Sequence, residues 1–224
     1  MGSIRRVYYD LFSKVYDFVI RLHSGDREGS LRRFIVEKTH LSEGGRALDL
    51  CTGTGSVAVE LAKRARESGF VAGLDFSRGM IEKARQKAAR SKLNHLHFVQ
   101  GNANQLPFKS VSFHTVTCSH AFYELKGTER LKAIEEVARV LMEKGKFCLI
   151  EHAKPEKFIA RLLFYIRIYF LGASDAKKFL KEGEAVLGER FKNTAKEMSP
   201  TGQSQLIYGE KGPIADENTR GRHS

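Results

Sequence analysis

The chain has 224 residues, of which 42% are hydrophobic and 29% are charged, so it can bury a sizeable core and does not have the composition of a disordered polypeptide. Its net charge of +12 permits a nucleic-acid partner, an anionic membrane surface or an acidic small molecule, and selects none of them. The cysteines, Cys51, Cys118 and Cys148, include no CxxC pair, which argues against a disulfide framework. The first residues lack the apolar run of a signal peptide, which favours an intracellular, cytoplasmic protein.

The first forty residues have the hydrophobic spacing of helices. An aromatic cluster comes first, a break follows at Ser24-Gly25-Asp26, and a second apolar face follows the break. The residues of these two faces are Tyr8, Tyr9, Phe12 and Tyr16, and then Leu31, Phe34 and Ile35. We therefore expect residues 1–40 to form an N-terminal helical cap.

From residue 41 to residue 211, short apolar runs alternate with amphipathic helices, which is typical of a parallel sheet covered on both faces. One helix is predicted from the spacing of Leu131, Ile134, Val137 and Leu141. Residues 193–211 are predicted to form an antiparallel hairpin around Ser199-Pro200-Thr201-Gly202. The pattern predicts an α/β, Rossmann-like, doubly wound sheet of seven mostly parallel strands with an antiparallel terminal hairpin and a helical N-terminal extension. Residues 212–224 are predicted to be a disordered tail.

A glycine-rich turn, Asp49-Leu50-Cys51-Thr52-Gly53-Thr54-Gly55, follows the first strand. Gly53 and Gly55 allow the backbone to turn into a helix and to approach a ligand, and the helix N-terminus favours an anionic group. Asp75 ends the next strand, where a carboxylate can accept hydrogen bonds from ribose hydroxyls. Residues 53–58 also match GxGxxG/A, so a nicotinamide dinucleotide is an alternative ligand. The acid within the strand, at Asp49, and the helices before the first strand argue against that alternative.

Several elements, in order from about Tyr8 to Pro155, resemble the class I methyltransferases, and most of all their ubiquinone/menaquinone biosynthesis C-methyltransferase branch (methyltransferase type 11 domain). The branch has an acid, a Gly-Thr-Gly turn, a second acid, a "D-A-x-x-L-P-F" element, a helix reading "E-x-x-R-V-L-K-P-G-G" and an "E-F-S-K-P" element. In this sequence the corresponding positions are Asp49, Gly53-Thr54-Gly55, Asp75, residues 102–108, residues 136–146 and Glu151-His152-Ala153-Lys154-Pro155.

The resemblance implies that the chain binds S-adenosylmethionine and releases S-adenosylhomocysteine. It also implies that Asp49 orients the loop, that Asp75 binds the ribose, and that Phe76 and Met80 border the adenine. The implied cofactor-binding residues are Asp49, Cys51, Thr52, Gly53, Gly55, Asp75, Phe76, Met80, Asn102, Ala103 and Ser119. Asn102 stands where the family usually has Asp, and its amide oxygen can still accept a hydrogen bond from an exocyclic amine.

Methyl transfer from a sulfonium is an in-line displacement, for which the enzyme supplies positioning and a dry cavity. The nucleophile can also need a proton removed. Titratable residues follow the fourth and fifth strands, and the predicted catalytic residues are His120, Tyr123, His152 and, as part of a lid, Tyr16, with Glu124 as a further candidate. His120 is the first choice, although each histidine can instead be an ordinary hydrogen-bonded or exposed side chain. No metal site is expected.

Residues 158–171 are strongly apolar, but fourteen helical residues extend only about 21 Å, short of the roughly 30 Å hydrocarbon core of a bilayer. We expect a helical insertion at about 156–190 that is either core, a homodimer interface, or a cap over an apolar tunnel. Nearby cations would favour peripheral contact with an anionic membrane. The expected acceptor is therefore a lipophilic small molecule, either a quinone precursor or a phospholipid amine.

The sequence departs from the quinone branch at one further place, lacks the motif of another methyltransferase class, and leaves two alternatives open. The quinone branch usually carries an Arg-Asn pair after strand four, where this chain has Phe122-Tyr123-Glu124. The Asn/Asp-Pro-Pro-Tyr motif of amino-methyltransferases is absent from the sequence at that position. An RNA or protein methyltransferase that uses the basic surface remains an alternative, with nucleic acid the less expected partner. So does a non-catalytic domain, because Asn102 and His114 stand where the family tends to have Asp.

Overall fold

The computed structural model describes residues 29–153 and 176–212. Helices and strands alternate along most of this part of the chain. The elements are α1 (Ser30–Thr39), β1 (Arg46–Leu50), α2 (Ser56–Ala65), β2 (Phe70–Asp75), α3 (Arg78–Arg90), β3 (Leu96–Gln100), β4 (Phe113–Ser119), a one-turn 3₁₀ helix (Phe122–Glu124), α4 (Gly127–Val140), β5 (Leu141–His152), α5 (Ala176–Gly188), β6 (Phe191–Met198) and β7 (Ser204–Lys211). The first 28 residues of the predicted N-terminal cap, which include Tyr16, lie outside the described residues, as do the apolar segment 158–171 and the predicted tail 212–224 except Gly212.

All seven strands form one sheet in the order β3-β2-β1-β4-β5-β7-β6. Strands β1 to β5 are parallel, and β7 runs antiparallel to both β5 and β6. The chain winds outward from β1 to β3 and then crosses to β4 on the other side of β1. Such a reversal opens a crevice at the carboxyl ends of β1 and β4, where open α/β sheets bind ligands. The predicted fold is confirmed.

The sheet is buried on both faces. One face, with Leu48, Val116 and Phe147, packs against α4 and α5. The other face packs against α1, α2 and α3, and includes Ala47 and Cys148. The short apolar runs in the sequence arise from this double burial, since successive residues of a strand point to opposite faces.

Helix α4 differs from its prediction in two places. Leu131 is 51% exposed, and Arg130 takes the buried position with 6% exposure. The helix ends at Val140, because Leu141 already pairs with Phe113 as the first residue of β5. An apolar spacing cannot reveal that an arginine is buried, since the guanidinium is accommodated by hydrogen bonds to the backbone carbonyl oxygens of Tyr123 and Leu125.

The predicted hairpin is confirmed, and its second strand lies inside the sheet. Strand β7 pairs with β5 and buries Leu206 and Ile207, while β6 forms the edge. Helix α1 buries Leu31 and Ile35 in the same cluster as α2. Within the predicted insertion, α5 buries Phe179 against Phe122. No helix of the described part of the chain is long and apolar enough to cross a membrane.

Candidate cofactor and acceptor site

Asp49 fastens the glycine-rich loop to the neighbouring strand. Its carboxylate accepts hydrogen bonds from the hydroxyl of Thr52 at 2.5 Å and from the hydroxyl of Thr117, on β4, at 2.7 Å. The amide of Ala58, in the first turns of α2, donates to the same carboxyl group. Burial raises the pKa of Asp49 to about 6, and these hydrogen bonds act against the shift. Asp49 is therefore 2% exposed and orients the loop from below.

The loop itself uses left-handed backbone at three positions. Cys51, Gly53 and Gly55 have φ values of 53°, 53° and 78°. A Cβ on Gly55 would lie 2.8 Å from Cζ of Phe98 and 2.9 Å from Cβ of Ala84, so this position also requires glycine for packing. The turn brings the start of α2, with the positive end of its dipole, to the carboxyl edge of the sheet.

Asp75 ends β2 directly beside this loop. Its Oδ2 accepts a hydrogen bond from the Gly53 amide at 2.9 Å, and its Oδ1 accepts one from the Ser77 amide at 2.9 Å. Burial raises the pKa of Asp75 to about 6, and the nearby Glu124 carboxyl adds to the rise. The helix cap that follows is Ser77, whose hydroxyl accepts from the Met80 amide. Asp75 is thus placed as a hydrogen-bond acceptor at the crevice and does not cap α3.

A small cleft, with a cavity volume of about 40 Å³, opens between the ends of β1, β2 and β3. Residues implied by the resemblance form part of its wall, namely Cys51, Phe76, Asn102 and Ala103. The remaining wall consists of Leu74, Gly101, Asn104, Leu125 and Glu129. The apolar side chains of the wall and the carboxamide of Asn102 suit an adenine ring. Asp75, next to the cleft, suits a ribose. The described residues therefore fit S-adenosylmethionine.

Met80 does not line this cleft. It is 1% exposed and packs in the interior on the first turn of α3. Leu125 and Glu129 do line the cleft. No sequence motif points to them, because they follow β4 and lie far along the chain from the glycine-rich turn. Only the pairing of β1 with β4 brings them close to it.

The predicted catalytic residues of β4 and β5 lie together. The rings of His120 and His152 are 4.4 Å apart between centroids, and the Tyr123 ring meets His152 at 5.8 Å and 70°. His120 has left-handed backbone, with φ 53°, and its amide donates to the Ile150 carbonyl. The carboxyl ends of two adjacent parallel strands therefore bring the His120, Tyr123 and His152 side chains into one cluster.

Both ring nitrogens of His120 have hydroxyl partners. Nδ1 lies 3.0 Å from Oγ of Ser119, and Nε2 lies 3.0 Å from Oγ of Ser204. Ser119 was implied as a cofactor residue by the resemblance, whereas Ser204, the first residue of β7, carries no motif. The two hydroxyls fix the plane of the imidazole, and either of them can donate or accept, so His120 can be held in either neutral tautomer.

A buried polar group beneath this cluster was missed by the sequence reasoning. Glu151 is 0% exposed, and its Oε1 accepts a hydrogen bond from the Tyr123 amide at 3.0 Å. Burial raises the pKa of Glu151 well above its usual value. The Tyr123 hydroxyl donates to Glu124, which is 4% exposed. Within residues 29–153 and 176–212, no group of three His, Cys, Asp or Glu side chains could hold a metal ion.

Comparison with known proteins agrees with this geometry. The ubiE/COQ5 methyltransferase family matches residues 3–178 of the chain. A demethylmenaquinone methyltransferase of Oceanobacillus iheyensis is 32% identical over 168 residues, which cover 75% of this chain and 69% of the relative. The ubiquinone/menaquinone biosynthesis C-methyltransferase UbiE of Geotalea daltonii is 33% identical over 164 residues, covering 73% and 68%.

Solved structures with the same fold are more distant in sequence. A Haloferax volcanii methyltransferase, solved in complex with the Trm112 activator, has a TM-score of 0.70 at 18% identity and covers 95% of this chain and 99% of its own. A SAM-dependent methyltransferase from Aquifex aeolicus has a TM-score of 0.60 at 19% identity, covering 85% and 97%. With the strand order, the cofactor cleft and the family match in agreement, this chain belongs to the ubiE/COQ5 methyltransferase family and is an S-adenosylmethionine-dependent methyltransferase.

Proposed function

We propose that the chain methylates a lipophilic small molecule of the quinone-precursor type. The single observation that carries this proposal is the cluster of His120, Tyr123 and His152 at the carboxyl ends of β4 and β5, beside the cofactor cleft. The relatives named for demethylmenaquinone and ubiquinone/menaquinone methylation support the acceptor class. A small lipophilic acceptor is also consistent with the apolar composition of residues 158–171.

The cluster adjoins the cofactor site through one strand. Thr117 on β4 donates to Asp49 under the cofactor loop, and two residues further Ser119 reaches His120. A methyl group presented at the end of β4 would therefore meet an acceptor held against the cluster. This proximity is what an in-line displacement requires, since positioning contributes most of the acceleration.

His120 is the group that we propose to take the acceptor's proton. Its ring lies 4.4 Å from the His152 ring between centroids, at the carboxyl ends of β4 and β5. A neutral imidazole with a hydroxyl on each nitrogen can accept a proton on one side and pass another to solvent or to a serine on the other. The acceptor that suits this chemistry carries an acidic hydroxyl, such as a reduced quinone ring.

The proposed acceptor class can be tested directly with purified protein and S-adenosylmethionine. The acceptors would be a reduced prenylated naphthoquinone lacking its ring methyl group, a prenylated phenol, and vesicles of phosphatidylethanolamine. We expect S-adenosylhomocysteine and a singly methylated naphthoquinol, detected by mass spectrometry. Methylation of the phosphatidylethanolamine headgroup, with none of the quinols, would overturn the quinone proposal.

A second candidate, an RNA or protein methyltransferase, is favoured by the uneven distribution of charge. Helices α1, α2 and α3, which cover one face of the sheet, carry ten Lys or Arg residues and three Glu. Helices α4 and α5, on the other face, carry six basic and five acidic residues. RNA binding that weakens steeply with added salt, together with methyl transfer to that RNA, would support this candidate. Absence of binding at low salt would exclude it for RNA.

A further inference from the structure

The turn Phe122–Glu124 is held at its amide end by a buried carboxyl group. The Tyr123 amide donates to Oε1 of Glu151 at 3.0 Å, and the Phe122 amide donates to the same carboxyl. Glu151 lies on β5, adjacent to β4, from which the turn departs. Because a short turn leaves its first amides without partners inside the turn, this carboxyl supplies the acceptors that the turn lacks.

The same turn is held at its carbonyl end by a buried guanidinium. Nη2 of Arg130 donates to the Tyr123 carbonyl at 3.1 Å and also to the Leu125 carbonyl. The guanidinium carbon lies 4.3 Å from the centroid of the Phe179 ring. The Glu151 carboxyl group therefore lies at the amide end of the turn and the Arg130 guanidinium at the carbonyl end. This is the favourable direction for the peptide dipoles between them.

This arrangement costs stability. Glu151 is 0% exposed and Arg130 is 6% exposed, and Oε2 of Glu151 has no hydrogen-bond partner in the part of the chain that the structure describes. Burying a carboxyl oxygen without a partner disfavours the folded state, because that oxygen loses its hydrogen bonds to water. A leucine or phenylalanine at this position would pack in the core without that cost. A stability cost of this kind next to a functional site is commonly retained for the geometry that it imposes.

The turn links the two halves of the site. At one end, the Tyr123 ring contacts His152, which contacts His120. At the other end, Leu125 lines the cofactor cleft. We infer that Glu151 and Arg130 are positioning residues that clamp the turn Phe122–Glu124 and so fix the buried Tyr123 ring against His152, on the acceptor side of the site.

This inference rests on the proposed function for the identity of the acceptor but not for the clamp itself. The first readout therefore needs no acceptor. In protein labelled with fluorotyrosine, the ¹⁹F resonance of Tyr123 is assigned by its loss in Tyr123→Phe. We expect that resonance to shift or broaden in Glu151→Leu and Arg130→Met. It should remain in place in Glu151→Gln and in the control Lys132→Met, which removes an exposed charge from the same helix.

The second readout is the steady-state kinetics with the acceptor that the protein is found to methylate. Glu151→Gln keeps an oxygen at the Tyr123 amide and should retain kcat/KM for the acceptor within about threefold. Glu151→Asp keeps a carboxyl group but withdraws it from the amides. Its kcat/KM for the acceptor should fall at least tenfold, with the Kd of S-adenosylmethionine unchanged within twofold. Arg130→Met should weaken the binding of both the acceptor and S-adenosylmethionine, because Arg130 also holds Leu125 at the cofactor cleft. Comparison of the Gln and Asp variants remains informative if Glu151→Leu does not fold.

The outcomes separate the two claims. The clamp would be overturned if the Tyr123 resonance neither shifted nor broadened in Glu151→Asp and Glu151→Leu. Full activity of Glu151→Asp with an inactive Glu151→Gln would replace positioning by proton transfer through Glu151 and so also overturn it. If the resonance responds as expected and none of the quinol acceptors is methylated, the clamp stands and the proposed function fails.

Discussion

The Gly53 amide donates a hydrogen bond to Oδ2 of Asp75 at 2.9 Å, which ties the cofactor loop after β1 to the end of β2. The carboxyl group therefore both shapes the loop and faces the crevice. Ribose hydroxyls that donate to this carboxyl group would compete with the Gly53 amide for it. We expect cofactor binding to reorganise this contact rather than to form beside it.

Asp75→Ala should weaken binding of S-adenosylmethionine by about 10- to 100-fold, the size of one or two hydrogen bonds to a charged group. Isothermal titration calorimetry measures the change. The matched control is Glu67→Ala, which removes an exposed carboxylate from the loop before β2 and should leave the isotherm unchanged. An unaltered Kd in Asp75→Ala would exclude the ribose contact.

Cofactor affinity should rise with pH up to about 6 and then level off. Burial raises the pKa of Asp75 from 3.8 to about 6, so the unliganded protein holds a proton there that ribose hydroxyls would displace. Below that pH each further unit should cost up to about tenfold in affinity. Titrations at pH 5, 6, 7 and 8 measure this slope, and Asp75→Asn should remove most of it. A slope that survives in Asp75→Asn would assign the titration to another group.

The same shifts have the opposite sign for folding. Asp49 and Asp75 both have a pKa raised from 3.8 to about 6 in the folded chain, so their protonated forms stabilise it. Their contribution is fully present below about pH 4 and is lost as the pH rises to about 6. It is on the order of 3 kcal/mol for each group. The free energy of unfolding of the unliganded protein, measured in urea, should therefore fall less on mild acidification than that of an ordinary domain. Asp75→Asn should be at least as stable as the parent at pH 7.

Gly55→Ala should destabilise the protein by about 2–4 kcal/mol, because it combines left-handed backbone with overpacking against Phe98 and Ala84. The control is Gly202→Ala, which has φ +67° but nothing within 4 Å of the added Cβ, and should cost only about 1 kcal/mol. Chemical denaturation of both variants separates the two contributions. Equal losses of stability in the two variants would mean that the loop shifts to accommodate the added Cβ and that the contact with Phe98 contributes nothing to the loss.

His120→Ala should lower kcat by about 10²- to 10⁴-fold while leaving the Kd of S-adenosylmethionine within a few-fold of the parent value. His120→Gln can replace one hydrogen bond to Ser119 or Ser204 but cannot take the proton, and should be equally slow. Ser204→Ala leaves the imidazole in place and should cost less than tenfold. If His120→Gln retains most of the activity, the imidazole only holds β4 to β7 and the proton leaves by another route.

The sequence was sufficient for the fold and for much of the cofactor site because both depend on local patterns. Strands buried on both faces must be short and apolar, and a strand that turns sharply into a helix must have residues such as Gly53 and Gly55. Asp49 and Asp75 could be chosen because an acid at a strand end lies at a known edge of the sheet. Asn102, Ala103, Phe76 and Cys51 were placed by family resemblance and do line the cleft. Met80 has the right spacing but faces the interior, because a helix position alone does not decide which neighbour covers it.

The acceptor side depended on tertiary structure. Ser204 and Arg130 carry no motif, and Glu151 belongs to a motif that assigns it no role. Each becomes significant only because β4, β5 and β7 are adjacent in the sheet. The apolar spacing of α4 even pointed to Leu131 in place of Arg130, since burial of a guanidinium depends on carbonyl oxygens that lie elsewhere in the chain. Sequence by itself therefore determined which cofactor the sheet holds, because several local elements in order, of which the glycine-rich turn is one, resemble a single family. Only the tertiary structure decided which side chains meet beside it, because strand order sets those contacts and no local pattern encodes it.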